Sequence, residues 1–188
     1  MSTANSARTG NPGIVKSIKQ RQLLRTWTLL PKAAGTLPIW SGWKVEDHSA
    51  QQQDVIVYRV DRSSVPYRFH IQQHGEAVTR LFRTSDSGKY LEDVLPAALA
   101  PTILSTYNLC VESKMPAYST MTVRDRQNRP VDYERLLLPF VTDAADVAII
   151  FASIEAISEH GAFDAIGLMR EQASPPAVKN FIIETGTT

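Results

Sequence analysis

One cysteine, few glycines, no acid near the N-terminus and no long apolar run are what 188 residues leave out. The lone Cys110 cannot close an internal disulfide, so the fold must rest on its core rather than on covalent staples. The longest apolar stretches, such as Val147–Ala152, fall far short of the ~20 residues a spanning helix needs, and no integral membrane insertion is expected. The nine glycines never gather into a phosphate or dinucleotide loop, and no Gly-x-Ser-x-Gly elbow occurs. Residues 1–45 hold seven bases (Arg8, Lys16, Lys19, Arg21, Arg25, Lys32 and Lys44) and no acid, which leaves thirteen bases against all nineteen acids in the rest. A basic arm on an acidic body suits nucleic acid, an anionic membrane surface or another subunit. These bases are dispersed and have few aromatics beside them to stack on bases, which favours a solvated helix face, and no nucleic-acid partner is expected.

What is present is an ordinary globular composition, 43% apolar and 21% charged with a net charge of +1, in a chain long enough to bury a self-sufficient core. The N-terminus lacks the basic, then apolar, then small pattern of a secretory signal, so the expectation is a cytoplasmic protein. Residues 1–13, rich in Ser, Thr, Asn, Gly and Pro, read as a disordered lead-in. Residues 14–53 read as a helix and a connector. Ser17 followed by Gln20 makes a capping box, and Ile18, Leu23, Leu24, Trp27 and Leu30 recur at roughly helical spacing until Pro31, predicting a helix over 17–30. Its apolar side requires a cover, either the main domain or a second copy. Trp40 and Trp43 are the expected anchors of the connector.

Over residues 54–157 the period changes. DVIVYRV and PYRFHIQ predict a hairpin; Glu76–Phe82 and Lys89–Val94 predict short helices separated by a left-handed Gly88; a longer helix ends near Ser113. Three strands follow, at Ala117–Arg124, Val131–Val141 and Asp146–Ile157. The order predicts an α+β domain with helices on one face of a five-stranded antiparallel sheet, preceded by an N-terminal helix. Residues 158–188 read as an extension, with a weak helix at Phe163–Met169 and a detached strand at Val178–Glu184.

This order resembles the PAS fold. Tyr67-Arg68-Phe69, Gly75, Gly88 with Leu91-Glu92-Asp93-Val94, Met115-Pro116 and Tyr133-Glu134-Arg135-Leu136-Leu137-Leu138-Pro139-Phe140 are similar to the small stand-alone PAS family of alphaproteobacteria, over about residues 24–157. His70-Ile71-Gln72-Gln73-His74 departs from that family's Gly-Thr after the strand arginine. The resemblance implies a sensory or protein-interaction module that dimerises through an N-terminal helix, here with Leu23, Leu24, Trp27 and Leu30. It would act through a signalling partner and keep a pocket between sheet and helices. Alternation makes Ile56, Tyr58, Phe69, Ile71, Ile103, Tyr107, Met121, Leu136, Leu138 and Ile150 the side chains that face the helices, as a filled core or as the walls of a cavity for a small apolar ligand.

Other chemistry finds little support in the residues. His70 and His74 would stand roughly 13 Å apart on an extended strand, too far for one metal ion. Glu46-Asp47-His48 reads as a polar loop. Flavin-binding PAS photoreceptors place their cysteine directly after an asparagine and before Arg-Phe-Leu-Gln, whereas Asn108-Leu109-Cys110 sits on an apolar helix face. Residues 96–116 contain no histidine for a haem. Glu112, Asp132, Glu134 and Glu155 would serve general acid–base chemistry only if paired in a pocket. The reading is therefore a non-enzymatic module without catalytic residues, metal or cofactor; the alternative is a small enzyme or metabolite-binding protein that uses the same sheet–helix cavity.

Overall fold

The computed structural model describes residues 8–33, 37–43, 54–142, 145–159, 161–166, 168 and 176–185. In chain order its elements are β1 (Arg8–Gly10), α1 (Ile18–Leu29), β2 (Lys32–Ala33), β3 (Leu37–Pro38), β4 (Val55–Asp61) and β5 (Arg68–His74). Then come α2 (Glu76–Phe82), α3 (Leu91–Val94), α4 (Ala100–Ser113), β6 (Ala117–Arg124), β7 (Pro130–Phe140), β8 (Ile149–Ile157) and β9 (Val178–Ile183). Gly88, at φ +84°, turns the chain between α2 and α3 in a conformation that a Cβ would strain.

From Val55 to Ile157 the order is two strands, two short helices, a longer helix and three strands, as the sequence leads one to expect. The sheet order is β1-β9-β6-β7-β8-β4-β5, and β2 with β3 forms a separate hairpin. Neighbours in the large sheet run antiparallel except β1 and β9. The expected five strands are thus corrected to seven. Val178–Ile183 is not detached: it pairs along β6 from Ala117 to Met121, satisfying an edge that would otherwise present unpaired amides and carbonyls. Arg8–Gly10, within the expected lead-in, pairs in turn with Phe181–Ile183. Phe163–Met169 is corrected as well, since its described residues form no helix and the Asp164 carboxylate takes the Ile166 N–H, a bond that competes with helix formation.

The sheet is covered on both sides. Helix α4 lies on one face; α1 and the Trp40–Gly42 turn lie on the other, where the Trp40 ring meets Phe140 edge-on and Trp43 packs on Phe140 and Phe151. Leu23, Leu24 and Trp27 are buried against the chain's own sheet, with the Trp27 indole N–H donating to the Pro139 carbonyl at 2.9 Å. Leu30, at the C-cap, is half-buried. The inner side of α1 is therefore spent within the chain, which corrects its assignment to a dimer contact. Glu46-Asp47-His48 lies outside the described residues.

At its start α1 is fastened by side chains from the sheet. The Ser17 hydroxyl accepts from the Gln20 amide, and the Ser17 amide donates to Glu134 Oε2 at 3.2 Å. The Tyr118 hydroxyl donates to the same oxygen at 2.8 Å, and the buried Gln20 side chain donates to the Ser153 carbonyl at 3.0 Å. The first turn of α1 contains no acid of its own, so Glu134 supplies the negative charge that the positive end of the helix favours.

Replacing Glu134 by Leu leaves the Ser17 amide and the Tyr118 hydroxyl buried without an acceptor. Glu134→Leu is expected to lower the unfolding free energy by about 3 kcal/mol, read from urea denaturation. The neighbouring Asp132→Asn, which loses only an exposed pair with Lys16, is expected to stay within about 0.5 kcal/mol of wild type.

Candidate functional site

Alternation along the strands, pinned by named contacts, assigns each face. Tyr58 of β4 and Tyr107 of α4 share a hydrogen bond at 3.1 Å, and Phe69 packs on the Tyr107 ring, so β4 and β5 present Ile56, Tyr58, Phe69 and Ile71 to α4. Ile150 is opposite Tyr58 on β8, and Met121 is opposite Tyr133 on β6. With Ile103 and Tyr107 from α4, eight of the ten anticipated residues share this layer, all buried. Leu136 and Leu138 do not. They follow Glu134 at two-residue spacing, and Glu134 and Phe140 reach α1 and the two tryptophans, so both leucines lie on the α1 side. The helix-facing residues of β7 are Tyr133, Arg135 and Leu137. The expected phase is off by one here because β7 is buried on both faces and its pattern carries no alternation to read.

That correction puts a guanidinium in the aromatic core. Arg135 is 3% exposed, and among the described residues no carboxylate forms an ion pair with it. Its charge lies 5.5 Å from the centroid of Tyr107 and 5.4 Å from that of Tyr133. Nη2 donates to the Tyr133 hydroxyl at 3.4 Å; Nε and Nη1 have no partner among the described residues. Directly opposite on β6 stands Ser119, 1% exposed, whose hydroxyl is also unpartnered among the described residues. The same row continues to Asn180 of β9, which accepts from the Thr106 hydroxyl of α4 at 2.8 Å. Burial pushes the Tyr107 phenol up to about 12 and the Tyr58 phenol well above its ordinary value, so both remain neutral at physiological pH.

The acidic candidates gather on the other face. Asp132 pairs with Lys16, Glu134 holds the start of α1, and Glu155 lies 3.6 Å from Lys19, which also bonds Asp54. Burial raises the Glu155 carboxyl above its ordinary range. These groups anchor a helix and line no common cavity with the tyrosines. Glu112 is exposed on α4. His70 packs on Tyr90, whereas His74 shares a hydrogen bond with Thr79 at 3.0 Å, so the two histidines serve different neighbours. Among the described residues no cluster of three or more His, Cys, Asp or Glu side chains is placed to hold a metal ion. Cys110 is fully buried on α4, and its burial raises the thiol pKa, holding it protonated. No helix among the described residues is long and apolar enough to cross a membrane.

No family model and no curated protein matches this chain. Among solved structures it is similar to a light-oxygen-voltage domain studied with a flavin analogue, at 11% identity and a TM-score of 0.45, over 62% of this chain and 85% of that one. It is also similar to an RNA-binding light-oxygen-voltage receptor, at 15% identity and a TM-score of 0.45, over 70% of this chain and 37% of that one. Flavin and RNA are named for those proteins alone.

A buried guanidinium that lacks a counter-ion and most of its hydrogen bonds is a stability liability. Arg135→Met fills the same volume and keeps contact with the rings through a polarizable thioether. The variant is expected to raise the unfolding free energy by about 1–4 kcal/mol, read from urea denaturation. A fall of that size would make Arg135 a structural residue.

Proposed function

We propose that the chain is a non-enzymatic sensory module, cytoplasmic and related to the small stand-alone PAS proteins of alphaproteobacteria, which dimerises through α1 and acts on a signalling partner. The supporting observation is the outer side of α1. Ile18 and Leu29 are exposed at 68% and 75%, on a helix whose inner side is fully engaged. Ile18, Gln22, Arg25 and Leu29 follow a spacing of four, three and four residues and so form one stripe along the helix. Beside Leu29 runs a groove of about 470 Å3 lined by Leu24, Arg25, Thr28, Pro12 and Thr185.

A second copy of the chain suits this stripe. When two such helices cross antiparallel about a two-fold axis, Ile18 of one copy meets Leu29 of the other, and Gln22 meets Arg25. Apolar ends cover each other, and the arginines face neutral amides rather than one another, which is the self-complementarity an isologous contact requires. A signal would pass from the sheet–helix interior through β7 to α1, since neighbouring residues of that strand reach both.

The second reading, a metabolite-binding protein, is favoured by one observation, the unpartnered Arg135 and Ser119 in the interior. It joins the first if the bound molecule is the signal.

Light scattering of the purified chain is expected to give the dimer mass, and Ile18→Asp with Leu29→Asp the monomer mass with an unchanged circular dichroism spectrum, because both side chains are exposed. A monomeric wild type, or a double variant that stays dimeric, rejects the α1 contact.

A further inference from the structure

We propose that the interior between α4 and the sheet binds a small monocarboxylate with an apolar body, its carboxylate held by the Arg135 guanidinium and the Ser119 hydroxyl. The inference rests on the reading of the chain as a ligand-tuned module and names the chemistry of the ligand.

Three features of the layer support it. First, Arg135 and Ser119 are direct cross-strand neighbours, which places their Cβ atoms about 5 Å apart on the same face. Unpartnered donors therefore converge from two strands: Nε and Nη1 of Arg135 and the Ser119 hydroxyl. A buried donor without an acceptor costs more than a bound one gains, so an acceptor that reaches these donors is held there. Second, an anion suits these donors, because among the described residues no carboxylate forms an ion pair with the buried guanidinium. A planar guanidinium fork matches a planar carboxylate in a way that a spherical halide does not. Third, the charge is single and the walls are apolar. One arginine offsets one negative charge, which disfavours a phosphate dianion. Tyr107, Tyr133, Met121 and Ile154 surround the charge with aromatic and aliphatic surface, so the rest of the ligand must be apolar.

Arg135 is shut off from solvent, and entry requires part of the cover to yield. Helix α4 is that part, since it packs on β6, β7 and β9 while α3 packs on β5. A carboxylate arriving there would replace water lost on burial with charge-assisted hydrogen bonds, and its binding would draw on β7 directly.

The test follows thermal unfolding of the full chain in sodium benzoate and sodium butyrate, against benzamide, butyramide and sodium chloride at equal ionic strength. Both carboxylates are expected to raise the Tm in a saturable way, and the amides and chloride are not. Arg135→Met is expected to lose the shift, and Ser119→Ala to keep it with a saturation midpoint several-fold higher. Absence of a carboxylate-specific shift in the wild-type chain, or an equal shift in Arg135→Met, overturns the proposal. Should Arg135→Met fail to fold, Arg135→Lys takes its place, since it keeps the charge and loses the fork; carboxylate binding unaffected by both Arg135→Lys and Ser119→Ala overturns it equally. The dimer contact is measured without carboxylate, so its failure and the failure of this site are told apart.

Discussion

The bond between Glu134 and the start of α1 is the constraint on which the rest of the molecule turns. A carboxylate from the middle of the sheet accepts the Ser17 amide and the Tyr118 hydroxyl, and so sets where the helix begins. Once that point is held, Leu23, Leu24 and Trp27 fall onto the sheet, and the Trp27 indole reaches the Pro139 carbonyl. The helix in turn closes the hydrophobic layer made with Leu136, Leu138, Phe140 and Phe151. The same bond fixes the phase of β7. Because Glu134 points to α1, Arg135 has to point to α4.

The two faces differ in chemistry because of that phase. On the α1 side carboxylates meet lysines, a helix N-terminus and hydroxyls, and the charges compensate one another. On the α4 side a single positive charge lies among tyrosine rings. The rings attract a cation through their π faces, yet they offer few acceptors for its N–H groups. A domain stabilised only by packing would have an aliphatic residue at position 135. The arginine is buried in the layer between α4 and the sheet, and this sets it apart from the charges on the other side.

Much of the fold was legible in the sequence, and for identifiable reasons. The capping box at Ser17, the period-2 runs of β4 and β6, Gly88 and the turn residues near Asp125 are local signals, and local geometry follows them. Helix α2 and strand β6 fall on the anticipated residues. What eluded the sequence depends on distant partners. Strand β1 is too short to announce itself, and β9, legible as a strand, carries no local sign that it fills the edge of β6. Strand β7 is buried on both sides, so its hydrophobic pattern does not tell which leucine meets which helix; the answer comes from a serine more than a hundred residues earlier. The pocket candidates on alternating strands were legible, while Arg135 and Ser119 were not. A charged side chain inside a doubly buried strand was the available clue, and reading it required the phase that only α1 supplies.

The opposite charges at 134 and 135 also guard the alignment of the central strand. A slip of one residue in β7 would turn every side chain to the other face. It would bring the glutamate among the electron-rich ring faces and set the arginine against the positive end of α1. Leucines 136 to 138 would tolerate either alignment, since both layers accept them. The adjacent charge pair would not, and it thereby separates the native pairing from its nearest competitor at the position where hydrophobicity alone cannot.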